Sequence, residues 1–206
     1  MKNNYLIWFL PAAALALLLQ IVSCLKMPVE LSQQPSPLPT IVGSYDTPSD
    51  ARGVYVSGNH AYLADGSSGL QIVDISDPYN PTFAGSYDTS GWAGGVFVSG
   101  NYAYVAEYDY YNYRYGRLQI INVSNPGDPT LAGSYDTLSA TGVFVSGNYA
   151  YVADGSSGLQ IVNVSDPYNP TLAGSYDTQD YAHGVFVSGN YAYVANGYLG
   201  LLIWKL

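Results

Sequence analysis

Thiols are almost absent from this 206-residue chain: Cys24 is its one cysteine, so no disulfide can form within it. Histidine is nearly as scarce. His60 falls at a hairpin and His183 in a variable link, and no nucleophile sits beside a base, so the sequence offers little for covalent catalysis. Charge is sparse as well, at 10% of residues, with 6 basic side chains against 15 acidic ones and a formal net charge of −9. Without clustered Lys and Arg to neutralise phosphates, nucleic acid is excluded as a partner. What the chain does have is 48% hydrophobic residues and 22 tyrosines, a composition that argues against disorder. Its 22 glycines and 12 prolines recur at regular intervals, which reads as many short strands joined by tight turns.

The first residues have a different character. Lys2 precedes an apolar run from Tyr5 to Leu19, broken only by Pro11, and then come Gln20, Ile21, Val22 and Ser23. A charged start, an apolar middle and a small-residue end make an export signal. Ile21 to Cys24 resembles the lipobox of prokaryotic lipoproteins, which implies cleavage before Cys24 and lipidation of its thiol. A plain signal peptide with an incidental cysteine, or a short uncleaved membrane helix, are the alternatives. At about 0.8 kcal/mol per buried CH₂, two or three acyl chains would hold the protein to a membrane. Leu25 to Pro39 contains four prolines with Ser and Gln, an extended tether that could span roughly 45 Å. The expected organisation is therefore a signal at 1–23, a lipidated Cys24 with its tether at 24–39, and a domain at 40–206. The expected location is the cell envelope, lipid-anchored and extracytoplasmic.

The domain is repetitive. Gly-Ser-Tyr-Asp-Thr begins at Gly43, Gly85, Gly133 and Gly174, and Val-Ser-Gly-Asn at Val56, Val98, Val145 and Val187. One unit, the second, carries an insertion. Each unit shows four strand signals in fixed order: in the first unit these are Gly53 to Ser57, Ala61 to Ala64, Leu70 to Ile75 and Thr82 to Asp88. Gly58-Asn59 suits a two-residue hairpin, and the prolines around Tyr79 force a turn. Four antiparallel strands per unit of about 42 residues predict an all-β fold, a four-bladed β-propeller.

The third-strand signals Leu70-Gln71-Ile72-Val73-Asp74, Leu118 to Asn122, Leu159 to Asn163 and, degenerately, Leu201 to Lys205 resemble the LVIVD-repeat family. The resemblance covers Thr40 to Leu206 and implies a β-propeller of extracellular and surface proteins, with no assigned chemistry. Asn replaces the final Asp in the second and third units, so a catalytic role for that residue is not expected. The domain opens with a fourth-type strand, Thr40 to Thr47, and ends with a third-type strand, Gly200 to Leu206. The N-terminal strand is therefore expected to complete the last blade and close the ring. A chain that stays open and pairs into an eight-bladed ring is the alternative.

Connections between up-and-down strands alternate between two faces. One carries nearly invariant turns; the other carries links that differ between units, where a repeat scaffold builds its binding surface. On that face the sequence places Asp50 and Arg52, Trp92, Tyr181 and His183. An inserted hairpin from Glu107 to Arg117 adds Tyr108, Tyr110, Tyr111, Tyr113, Arg114 and Tyr115. Tyr and Trp give large contact area at small entropic cost, so these residues form the expected site for a protein or glycan ligand. The bland alternative is that the tyrosines cover their own blade. Asp65, Glu107, Asp154 and Asn196 end the four second strands and could ring a hard cation, but Asp before Gly is foremost a turn former. No metal, cofactor or catalytic residue is expected. A hydrolase or lyase using Asp50, Glu107, Asp154 and Asp180 is a second reading, and a structural envelope module a third.

Overall fold

The computed structural model describes residues 39–111 and 115–206. The expected signal, Cys24, the tether up to Leu38, and Tyr113 and Arg114 lie outside the described residues. The chain divides into two units, 1–41 and 42–206, and every strand among the described residues belongs to the second. Among the described residues no helix is long and apolar enough to cross a membrane.

Four antiparallel sheets follow one another in chain order. The first contains β1 (Ala51–Ser57), β2 (His60–Asp65), β3 (Leu70–Asp74) and β4 (Thr82–Tyr87), hydrogen-bonded in that sequence. The second contains β5 (Trp92–Ser99), β6 (Tyr102–Tyr108), β7 (Gly116–Asn122) and β8 (Thr130–Thr137). The third contains β9 (Gly142–Ser146), β10 (Tyr149–Ala153), β11 (Leu159–Asn163) and β12 (Thr171–Tyr176). The fourth has three strands: β13 (Ala182–Ser188), β14 (Tyr191–Asn196) and β15 (Gly200–Lys205). Residues 39–47 carry no strand, and β15 has no fourth strand beside it.

Sequence explains the local geometry. Ser57 pairs with His60 across a two-residue turn, and Gly58 holds φ at 57°. That is the left-handed value a II′ hairpin needs at its first central position, and glycine reaches it without strain. The same turn recurs with Gly100, Gly147 and Gly189. Each complete sheet also has a bulge on its fourth strand. Ile72 pairs with Gly85 and Val73 with Phe83, so Ala84 is the extra residue.

Sheets pack face to face in a row. Tyr62, Ala64, Leu70 and Ile72 of the first sheet bury themselves against Val96, Val98, Ala103, Val105 and Ile121 of the second. Tyr104, Ala106, Leu118 and Ile120 repeat this against the third sheet, and Tyr151, Ala153 and Leu159 against the fourth. Each buried Val, Leu or Ile among them gains about 1.5–3 kcal/mol by burial, so the junctions between sheets hold the row together. Neighbouring first strands approach closely at glycines. A Cβ on Gly53 would lie 3.1 Å from Gly95 Cα, one on Gly95 3.1 Å from Gly142 Cα, and one on Gly142 3.1 Å from Gly184 Cα. Beside them Tyr55, Phe97, Phe144 and Phe186 stack in series, with ring centroids 4.6, 4.8 and 4.8 Å apart.

At the N-terminal end of the row, Gly43 lies so close to the Pro78 carbonyl that a Cβ would collide with it. Gly85 meets Pro126 and Gly133 meets Pro167 in the same way. Residues 42–47 thus occupy, against the first sheet, the place that β4 and β8 occupy against the sheets that follow them. The strand expected to receive them, β15, lies on the last sheet of the row. This is the physical reason that the fourth sheet has three strands.

Candidate functional site

The insertion lengthens the second sheet before it makes a loop. Glu107 pairs with Arg117 and Tyr108 with Gly116, so the two ends of the inserted stretch are ladder. Beyond it the Asp109 amide donates to the Tyr115 carbonyl at 2.7 Å, closing the base of the hairpin tip. Tyr108 lies directly across from Trp92 on β5. The Trp92 ring stacks on Tyr110, with centroids 4.5 Å apart and planes 28° from parallel, and Tyr111 meets Tyr110 edge-on at 5.5 Å.

Arg52 joins this group from the first sheet. Its guanidinium lies 5.4 Å from the Trp92 ring centroid and 5.9 Å from that of Tyr110, and Nη1 donates to the Tyr108 hydroxyl at 3.0 Å. Such cation–π contacts contribute about 0.5–2 kcal/mol, according to how far they are desolvated. A β-bulge aims the side chain: the register slips between Ala51 and Gly53, leaving Arg52 as the unpaired residue. The corresponding bulge on β5 holds Gly94, where a Cβ would come within 3.0 Å of the Tyr108 ring. Glycine there makes the room that Tyr108 fills.

The cluster borders a cleft of about 970 Å³. Trp92, Tyr110 and Tyr115 give it aromatic walls, and Asp88, Arg117 and Asp136 give it a polar rim. Arg117 Nε donates to Asp136 Oδ1 at 3.1 Å in an exposed pair, a contact that adds little stability. Glu107 lies deeper. It is buried and accepts from Gln119 Nε2 at 2.9 Å, and its burial pushes the carboxyl above the ordinary range.

The four side chains ending the second strands do separate work. Asp65 accepts from the Thr47 hydroxyl at 2.7 Å and the Ser49 amide at 3.0 Å. Asp154 accepts from the amides of Leu138 at 3.0 Å and Ser139 at 2.6 Å. Asn196 reverses the polarity, its Nδ2 donating to the Thr178 carbonyl at 2.7 Å. All are buried, and Asp65, Asp154 and Asn196 each tie the link preceding a sheet onto that sheet. Among the described residues no group of three or more His, Cys, Asp or Glu is placed to hold a metal ion.

The structure divides the expected site. Trp92, Tyr108, Tyr110, Tyr111 and Tyr115 come together, whereas Tyr181, just before β13, and His183 on β13 stand apart, with rings 5.1 Å from each other. Tyr181 repeats a structural task of Trp92. Trp92 lies over Gly66 and Tyr181 over Gly155, each aromatic covering the glycine turn of the preceding sheet. Ser139 stands at that position after the sheet that bears the insertion, and it bonds the Tyr181 hydroxyl at 2.6 Å. Asp180 is held chiefly by backbone amides, with His183 a lesser electrostatic influence. Its oxygens accept from the amides of Tyr181 at 2.7 Å and Tyr198 at 2.6 Å, which holds the carboxyl below its ordinary value.

Asp88, Arg117 and Asp136 are the cleft residues that the expected site omitted. The signal for Arg52 was its place in the repeat, where Gly94, Thr141 and His183 stand in the other units.

A family model described as the LVIVD repeat matches residues 48–89, 90–137, 139–178 and 180–203. No curated protein matches the chain. Among solved structures, the crystal structure of the computationally designed Ika4 protein aligns with a TM-score of 0.60 at 11% identity. It covers 82% of this chain and 98% of that one. The computationally designed Ika8 protein aligns with a TM-score of 0.58 at 9% identity, covering 76% of this chain and 46% of that one. At these identities the likeness is one of fold alone.

Proposed function

The chain belongs to the LVIVD repeat family, and from that premise we propose that it is a non-catalytic, lipid-anchored protein of the cell surface that binds a protein or glycan in the cleft beside the β6–β7 hairpin. The observation that carries this reading is the convergence of Asp88, Trp92, Tyr108 to Tyr111, Tyr115 and Asp136 on one cleft, with Arg52 of the first sheet packed against Trp92 and Tyr108 behind it. Tyr111 and Tyr115 stay 87% and 77% exposed, an apolar surface offered to solvent within a polar rim. Stacking aromatics beside carboxylates and a guanidinium suit sugar rings and peptide side chains alike. A non-catalytic role is supported by the buried carboxylates Asp65 and Asp154, whose oxygens are occupied by link backbone or by a link hydroxyl.

The anchor is Cys24, lipidated after removal of residues 1–23, with the protein held outside the cytoplasm on its tether. The four sheets are the blades of a β-propeller. Residues 42–47 supply the fourth strand that β15 lacks, and the pairing closes the ring. Closure would cover the open edge of β15, which pairs on one side only, with β14.

The test of the binding reading is a pull-down from native envelope material with the wild-type chain and with a Trp92→Ala, Tyr110→Ala, Tyr111→Ala variant. Wild type is expected to retain a ligand that the folded variant loses. Equal retention by both removes the cleft as the site.

A further inference from the structure

We infer that the closing strand comes from a second copy of this chain, so that two chains form one ring of eight sheets. The inference rests on the pairing of residues 42–47 with β15 proposed above, and names its partner. Its basis is the two ends of the row. Inside the chain, Leu70, Ile72, Leu118, Ile120 and Leu159 are fully buried against the next sheet. Their counterparts on the last sheet, Leu201 and Ile203, are 62% and 58% exposed. At the other end the pattern is mirrored: Val96, Val98, Val143 and Val145 are at most 9% exposed, while their counterparts Val54 and Val56 are 64% and 57% exposed. Each end is thus one half of a junction that the chain already makes three times. The surface that fits Leu201 and Ile203 is the surface carrying Val54 and Val56.

These two halves do not meet within one chain. Gly53, Gly95 and Gly142 each abut the next first strand, but a Cβ on Gly184 would meet nothing within 4 Å. Phe186, last in the aromatic series, is left 58% exposed. The three junctions use the same residue types at the same spacing, so each turns the row by the same step. Packed interfaces of this kind resist continuous deformation. A constant step that has not closed after four sheets closes at a larger number. A four-sheet chain reaches eight by adding one copy, related by a two-fold axis that makes two equal head-to-tail junctions. Each copy's residues 42–47, already seated on the first sheet, would lie beside the other copy's β15.

Native mass spectrometry and sedimentation of the full chain in detergent test this, together with hydrogen exchange at β15. The expected result is a mass of two chains, reduced to one chain by Val54→Glu and equally by Leu201→Glu. Both positions are exposed in a single chain, so neither substitution should unfold it, and circular dichroism checks that. A single-chain mass with protected β15 amides would overturn the inference while leaving ring closure intact, since the chain would then close on itself. A single-chain mass with freely exchanging β15 amides would remove both. A two-chain mass unaffected by either substitution would also overturn the inference, by placing the contact elsewhere.

Discussion

Asp74, Asn122 and Asn163 end the third-strand motif with one shared act: each side-chain oxygen accepts from the amide two residues on, at 2.8, 2.9 and 2.9 Å. Asp and Asn interchange there because the turn needs an acceptor and not a charge. It also accounts for Asn122 and Asn163 without glycosylation, although each begins an Asn-Val-Ser pattern. Glycines show the opposite, a position where nothing interchanges. Gly85→Ala would drive a Cβ into the Pro126 carbonyl and is expected to cost about 1–3 kcal/mol in a urea titration, whereas Gly174→Ala meets only Tyr176 at 3.9 Å and should change little. Glu107 predicts a pH dependence. Its folded carboxyl is raised by burial, so the folded state binds its proton more tightly than the unfolded chain does. Stability from this group is therefore greatest at low pH and falls as pH rises through the window from the ordinary carboxylate value up to the raised one. The melting temperature of wild type relative to Glu107→Gln should decline across that window, and a flat difference would count against the buried, raised carboxyl.

At the level of elements, the hairpin and the short turns it replaces share the same two strand ends. Ala106 pairs with Leu118 as Ala64 pairs with Leu70 and Ala153 with Leu159. The scaffold beneath the hairpin is thus independent of it. Replacing residues 107–117 by the Asp-Gly-Ser-Ser-Gly of the third unit is expected to leave a cooperatively folded protein, by thermal melting, that no longer retains envelope ligand. Loss of folding would mean that the hairpin is a structural part of the second sheet. The strand pattern itself was legible in advance: β1 to β4 fall within two residues of the expected strands, because alternation and turn residues are local signals. The division of the site was not. Variation between links looked like one binding face, yet Tyr181 and Trp92 vary partly because each covers a glycine turn, which only the packing of one sheet on the next reveals.

For the whole molecule, the proposed anchor at Cys24 predicts that lipidation and folding of the domain are separable. Cys24→Ser is expected to release the protein from membranes into the soluble fraction, and to abolish metabolic labelling with palmitate, without changing the melting temperature of the domain. Retention of both membrane association and label would remove Cys24 as the anchor. The same independence follows from nearest-neighbour packing: each sheet contacts only those beside it, so stability is a sum of sheets and junctions, and the unsatisfied terms collect at the two ends.

The sequence by itself determined the repeat, the strand order, the turn geometry and the family, because these depend on residues close together in the chain. It also indicated which loops depart from the repeat. Only the tertiary structure decided that Arg52 reaches Trp92 and Tyr110, that Tyr181 and His183 stand apart from them, and that the two ends of the row stay uncovered. The reason is the packing of one sheet on another. The turn between successive sheets accumulates along the row, and its sum decides which distant residues share a cleft and whether the first sheet meets the last.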